Sequence, residues 1–153
     1  MSYLLDTNIL LRTIVTDDPN YHITMEAIAS LRRSGERLFV APQNLIELWN
    51  VATRPAAKNG LGISPLEAAA EIARLKELFI LLPDTEQIYP EWERLVKTYE
   101  VKGVNVHDTR LVAFMLVHRL SHILTFNVKD FRRFSTEITS VSPKEVGSID
   151  ESE

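Results

Sequence analysis

Four acids could do chemistry in combination: Asp6, Glu47, Asp108 and Asp130. Asp6 comes directly after the apolar run Tyr3-Leu4-Leu5, and Asp130 lies just beyond Ile123-Leu124-Thr125-Phe126. Asp108 opens a helix whose remainder, Leu111 to Val117, is continuously apolar. It shares a helical face with Leu111, Val112 and Met115, at offsets of three, four and seven. That face is expected to be buried and Asp108 to point inward. A buried carboxylate is costly unless it is paired, hydrogen-bonded or metal-bound. Glu47 follows Pro42 on another helix, on a mostly polar stripe with Gln43, Asn44, Asn50, Val51 and Arg54. Oxygen donors without cysteine or a histidine cluster favour hard cations such as Mg²⁺ or Mn²⁺. Such ions lower the pKa of bound water and stabilise charge building on a phosphate.

Each acid taken alone also has an ordinary structural reading. Asp is a favoured N-cap, which suits Asp6. An anion in a first helical turn complements the helix dipole, which suits Asp108. Glu47 and Asp130 could be solvated surface acids. The argument rests on the four together.

Elements of alternating type must position them. Short strands are expected at Tyr3–Leu5, Leu38–Ala41, Phe79–Leu82, Ile123–Phe126 and Ile138–Val141. Helices are expected at Asn8–Val15, from Asn20 to about Arg33, from Pro42 to about Thr53, and from Ser64 to about Leu78. Others are expected at about Glu86–Glu100 and His107–Arg119, with a short helical stretch over Asn127–Phe134. Ser64-Pro65-Leu66-Glu67 has the form of a capping box with proline at the first helical position. Strands alternating with helices imply right-handed crossovers and a mainly parallel central sheet. The fold class is therefore α/β, a three-layer α/β/α sandwich. Its functional groups should gather outside the carboxyl ends of the strands.

The chain has 153 residues and suits one domain, expected over residues 1–147, with an acidic, frayed tail at 148–153. It has no cysteine, which excludes disulfides and thiolate zinc sites. No basic-then-apolar leader opens it and no apolar run is long enough to span a bilayer, so a cytoplasmic location and no membrane partner are expected. The formal net charge of -4 argues against nucleic-acid binding by bulk charge. Bound cations at an acid cluster would reverse that sign locally. His118 and His122 straddle a helix-to-strand junction, and His107, beside Asp108, could line the site but better suits a capping or surface role. No serine elbow, phosphate loop or dinucleotide fingerprint is present.

Four segments resemble, in order, the motifs of PIN-domain nucleases. They are Leu4-Leu5-Asp6-Thr7-Asn8-Ile9-Leu10, Leu45-Ile46-Glu47-Leu48-Trp49, Val106-His107-Asp108-Thr109-Arg110-Leu111-Val112-Ala113 and Leu124-Thr125-Phe126-Asn127-Val128-Lys129-Asp130-Phe131. Length and the lack of further domains make the chain similar to VapC-type toxins of toxin–antitoxin pairs. The resemblance implies a PIN-like fold and metal-dependent hydrolysis of RNA phosphodiesters. It also implies a small antitoxin partner, and the apolar residues of the helices around Thr24–Arg33 and Leu66–Leu78 could serve a homodimer, that antitoxin or ordinary core packing. It implies that Asp6, Glu47, Asp108 and an acid of the last motif hold Mg²⁺ or Mn²⁺. Thr7 and Asn8 would support Asp6, and Thr125 would hydrogen-bond within the site. Some relatives carry Asp where this chain has Asn127, which leaves Asp130 as the expected fourth acid with Asn127 beside it.

An RNA groove needs positive rims. Arg12, Arg54, Lys58, Lys102, Arg110, Lys129, Arg132 and Arg133 are candidates, with Arg110, Lys129, Arg132 and Arg133 nearest the expected acids. Trp49, Trp92, Tyr89 and Tyr99 could stack on bases, although Trp49 shares a face with Leu45, Leu48 and Ala52 and is expected in the core. Three alternatives stand beside this reading: a PIN nuclease of RNA maturation, a non-catalytic PIN scaffold, and a haloacid-dehalogenase-type phosphatase. The last wants a second Asp two positions after the first, where this chain has Asn8.

Overall fold

The computed structural model describes residues 1–146; the expected acidic tail at 148–153 and the last residue of the expected domain lie outside the described residues. The chain runs β1 (Ser2–Leu5), α1 (Thr7–Ile14), α2 (Tyr21–Arg33), β2 (Arg37–Val40) and α3 (Pro42–Thr53). It continues through α4 (Pro65–Leu78), β3 (Ile80–Leu81), α5 (Ile88–Thr98), α6 (Asn105–Val117), β4 (His122–Leu124) and β5 (Thr139–Val141). Short 3-10 segments occupy Ala56–Lys58 and Val128–Phe134. Ser64 and Glu67 form the expected capping box at the start of α4.

The five strands form one sheet in the order β3-β2-β1-β4-β5, and every pairing is parallel. Side chains of a strand alternate between faces, and a parallel sheet wrapped by crossovers buries both. Tyr3, Leu5, Leu38, Val40, Leu124 and Val141 accordingly join one core cluster, which α1, α2, α3 and α4 cover with Leu10, Ile28, Leu48 and Leu75. Leu4, Phe39, Ala41 and Ile123 join the other, which α5, α6 and the Val128–Phe134 segment cover with Leu95, Phe114, Met115 and Phe131. Helix α6 is buried over the continuous run Leu111 to Met115. A helix apolar on all sides belongs in an interior. The α/β/α sandwich expected from the alternation is the observed fold.

Two expectations fail. The run Phe79–Leu82 was expected as a buried strand. Only Ile80 and Leu81 pair, with Phe39 and Val40, and they are 45% and 39% exposed. β3 is an edge strand with one neighbour, and Pro83 follows closely. The burial in that run comes from Phe79, which closes the end of α4. Trp49 is 38% exposed rather than core. Leu45, Leu48 and Ala52 are the buried side chains of that face, and Trp49 sits at its margin beside Ile46 and Ile72.

Candidate active site

The strand order reverses at β1: β2 and β3 extend the sheet on one side, β4 and β5 on the other. Open α/β sheets place ligands at the carboxyl ends of the strands flanking such a reversal. Asp6 occupies that place. Its backbone N–H donates to the Leu124 carbonyl at 3.0 Å, which carries the β1–β4 ladder one step past the strand ends. Its φ of -69° and ψ of 158° make it the extended N-cap of α1. Oδ1 accepts from the Thr7 backbone N–H at 2.8 Å. Oδ2 accepts from the Thr125 hydroxyl at 2.8 Å and from Nδ2 of Asn8 at 3.3 Å. Capping and a place in the site are therefore two uses of the same carboxylate.

Thr125 and Asn8 fasten the two strand ends together. Asn8 Nδ2 also donates to the Thr125 hydroxyl oxygen at 3.2 Å, and Asn8 Oδ1 accepts from the Phe126 backbone N–H at 3.2 Å. The Asn127 backbone N–H donates to the same threonine oxygen at 3.0 Å.

Glu47 reaches the site from α3. Pro42 opens that helix, and the buried Asn44 ties down its start by accepting from the Ala41 N–H at 2.9 Å. Glu47 Oε2 accepts from the Thr7 hydroxyl at 3.0 Å, and Oε1 accepts from Gln43 Nε2 at 2.7 Å. Asn44 Nδ2 donates to Thr7 Oγ1 at 3.3 Å, so Thr7 connects α1 to α3.

Asp108 lies in the first turn of α6 and is half-buried rather than fully inward. Its carboxylate takes no hydrogen bond or ion pair among the described residues. Burial, and then the negative charges of Asp6, Asp130 and Glu47, push it up to about 7. Asp6 is only 6% exposed. Burial raises its pKa, the bonds from Thr125 and Thr7 pull it down, the charges of Glu47 and Asp130 raise it, and together they leave it at about 6. Asp130 itself is exposed in the first turn of the Val128–Phe134 segment, and its charge reaches both buried acids. The expected acids thus share one electrostatic field.

A cavity of about 540 Å³ opens over Glu47 and Asp108. Gln43, Ile46, Asn50, Asp84, His107 and Arg110 complete its wall. Arg110 pairs with Asp84 at 3.3 Å and donates to Gln43 Oε1 at 3.1 Å. Gln43 Nε2 donates to the His107 carbonyl at 2.8 Å as well as to Glu47. Lys129, Arg132 and Arg133 are exposed on the 3-10 segment. Of the four expected substrate contacts, Arg110 is the one on the cavity wall. Gln43 was legible only as a polar neighbour of Glu47, and Asp84 only as part of a strand stop. What makes them part of the site is the approach of α6 to α3, a tertiary contact.

The donors are carboxylate, amide and hydroxyl oxygens, which suit a hard cation. Among the described residues, no three acids or imidazoles converge tightly enough to cage an ion by themselves. A cation there would need further oxygens from water or a substrate. Mg²⁺ keeps several waters and is held by one or two carboxylates with substrate phosphates, whereas Ca²⁺ wants six to eight oxygens. Asp6 and Asp108, raised first by burial and then by the charges of neighbouring acids, mark the charge excess that a cation would offset.

By structure, the chain is similar to a chain of VapBC-1 from nontypeable Haemophilus influenzae, with TM-score 0.67, 23% identity, and 94% of this chain and 99% of the other covered. It is similar to a chain of VapBC2 from Rickettsia felis, bound to a promoter DNA fragment, with TM-score 0.68, 16% identity, and 93% and 98% covered. It is also similar to VapC20 of Mycobacterium tuberculosis, described as a toxin that cleaves the sarcin–ricin loop, with TM-score 0.61, 18% identity, and 85% and 93% covered. No curated protein matches the chain by sequence. The sequence model of the PIN domain matches residues 3–137, from β1 to just before β5, and the chain belongs to the PIN domain family.

Proposed function

We propose that this protein is a metal-dependent endoribonuclease, with residues 1–147 as its nuclease domain and Mg²⁺ or Mn²⁺ as its cofactor. The observation that carries the reading is the shared field of Asp6 and Asp108 at the reversal of strand order. Asp6, Glu47, Asp108 and Asp130 would hold the cations. When bound, such ions lower the pKa of a water and stabilise charge on the phosphate. The chain's own residues do the positioning. Thr125, Thr7 and Asn8 fix Asp6, and Thr7 and Gln43 fix both oxygens of Glu47. Arg110 supplies a positive wall to a cavity that is otherwise acidic, and Lys129, Arg132 and Arg133 would line the path of the strand.

The biological reading is the toxin of a type II toxin–antitoxin pair, acting as a cytoplasmic homodimer restrained by a small antitoxin. Its support is the likeness to chains from VapBC complexes over more than nine-tenths of their length. No helix among the described residues is long and apolar enough to cross a membrane.

The open spacing of the acids favours one second reading, a non-catalytic scaffold that binds RNA or protein. The test is incubation of the protein with structured RNA and Mg²⁺ or Mn²⁺, beside Asp6→Asn, Asp108→Asn and an EDTA control. Cleavage that needs the cation and both acids supports the nuclease. Folded protein that takes up no cation in calorimetry and cuts none of a broad RNA panel is the scaffold.

A further inference from the structure

A second cavity, of about 350 Å³, adjoins the acidic one and is walled by Thr85, Ile88, Tyr89, Trp92 and Arg110. Arg110 belongs to both walls, so the two cavities meet across its side chain. Tyr89 is 63% exposed, although aromatic rings normally bury most of their surface. Its ring lies 5.6 Å from that of Trp92 at a tilt of 34°. Trp92 is anchored by Nε1, which donates to the Val106 carbonyl at 2.9 Å, two residues before Asp108. The aromatic pair is thus fixed to the same helix as the acid. At the same wall the Thr85 hydroxyl is buried without a hydrogen-bond partner among the described residues. Buried polar groups normally have one, and this one is left unsatisfied at the pocket wall.

We infer that this pocket is a base subsite: it takes one unpaired nucleobase of an RNA strand whose neighbouring phosphate lies in the acidic cavity. The inference rests on the ribonuclease reading above. The occupant must be planar to lie on Tyr89 and Trp92, and it must carry polar edges to meet Arg110 and Thr85. It must also be joined to a group that the acidic cavity accepts through cations, which a phosphate satisfies. Base–aromatic stacking is tolerant of sequence, and guanidinium planes contribute to it. Arg110 can turn to the substrate at small cost. Its pair with Asp84 is partly exposed on both sides, and such pairs contribute little to stability.

The test reads Trp92 emission in a Trp49→Phe protein, which removes the other indole and leaves the acids intact, with phosphorothioate-linked RNA that resists cleavage. It is titrated with unstructured RNA octamers and with an abasic octamer of the same backbone, both with Mg²⁺. The expected result is quenching by base-bearing RNA and binding roughly 5- to 100-fold tighter than the abasic strand. Adding Tyr89→Ala should remove most of that advantage, and Tyr89→Phe should keep it. Equal binding of both strands, unmoved by Tyr89→Ala, overturns the subsite and leaves the ribonuclease reading standing. Failure of both strands to bind also overturns the subsite. Whether the native-sequence protein then cleaves RNA decides if the ribonuclease reading falls with it. Quenching by an apolar peptide but by no RNA overturns the subsite by reassigning the pocket to a protein partner.

Discussion

The Thr125 hydroxyl donates to Asp6 Oδ2 at 2.8 Å and bridges the ends of β1 and β4 at the point where the strand order reverses. This is a charge-assisted bond in a buried setting, the stronger kind. It opposes the burial and like-charge repulsion that favour protonated Asp6.

Removing that bond should weaken cation binding without unfolding the protein. Thr125→Val keeps the shape of the buried side chain and deletes the donor. Mn²⁺ affinity should fall about 10- to 100-fold, the usual cost of losing an outer partner of a ligating group. Titration calorimetry on Thr125→Val beside Thr125→Ser measures it. Serine retains the hydroxyl and should stay within a few-fold of the native affinity.

The pH dependence has a definite sign. Asp6 and Asp108 sit at about 6 and about 7 in the fold, above their ordinary value of 3.8. In metal-free protein the folded state therefore binds more protons than the unfolded chain between those limits. Their stabilising contribution is complete below about pH 4 and is lost as pH rises through about 6 and 7. Other groups also titrate, so the clean measurement is the Tm of Asp108→Asn minus that of the native sequence, in EDTA. That difference should grow by a few °C from pH 5 to pH 8. Mg²⁺ should raise the native Tm more at pH 8 than at pH 5, because the cation competes with protons. A Tm difference that is flat with pH would show that Asp108 is not raised.

Gln43 is a positioning residue whose loss should be felt in turnover. Its amide holds Glu47 with the nitrogen and Arg110 with the oxygen, and the nitrogen also reaches the His107 carbonyl. Gln43→Ala frees one Glu47 oxygen and releases Arg110. If the nuclease reading holds, kcat should drop about tenfold. The Tm should move by no more than about 2 °C, because the network is largely at the surface. A fall in Tm of the same order as in core variants would assign Gln43 to the fold alone.

How much of this could be read from the chain depends on how local each cause is. Asp6 was legible because an acid after an apolar run marks the carboxyl end of a strand, and Asp108 because it heads an apolar helix. The layers followed from alternation, since both faces of a parallel sheet are buried. Asp84 was not legible as part of the site, because only the packing of α6 brings Arg110 to it. The edge position of β3 was hidden for a similar reason. Four apolar residues look alike whether a strand has one neighbour or two, and strand order is a property of the whole topology. Trp49 was misplaced because helical periodicity gives the direction of a side chain but not the width of the surface covering it.

The last motif presents two oxygen donors, and their settings predict which matters more. Asn127 is exposed, and its recorded bond to the site is made by its backbone N–H, to Thr125. Its side-chain oxygen is neutral and adds no charge. Asp130 is also exposed, yet its charge is felt by both Asp6 and Asp108. A cation between these acids would feel it too, with opposite sign. Asp130→Asn should therefore lower Mn²⁺ affinity and RNA cleavage about 10- to 100-fold. Asn127→Ala, which leaves the backbone bond in place, should change either by less than about threefold. Asn127→Asp should tighten Mn²⁺ binding by adding an anionic oxygen beside the cluster. The reverse ranking in calorimetry would move the fourth ligand to Asn127 and leave Asp130 a solvated acid at the rim.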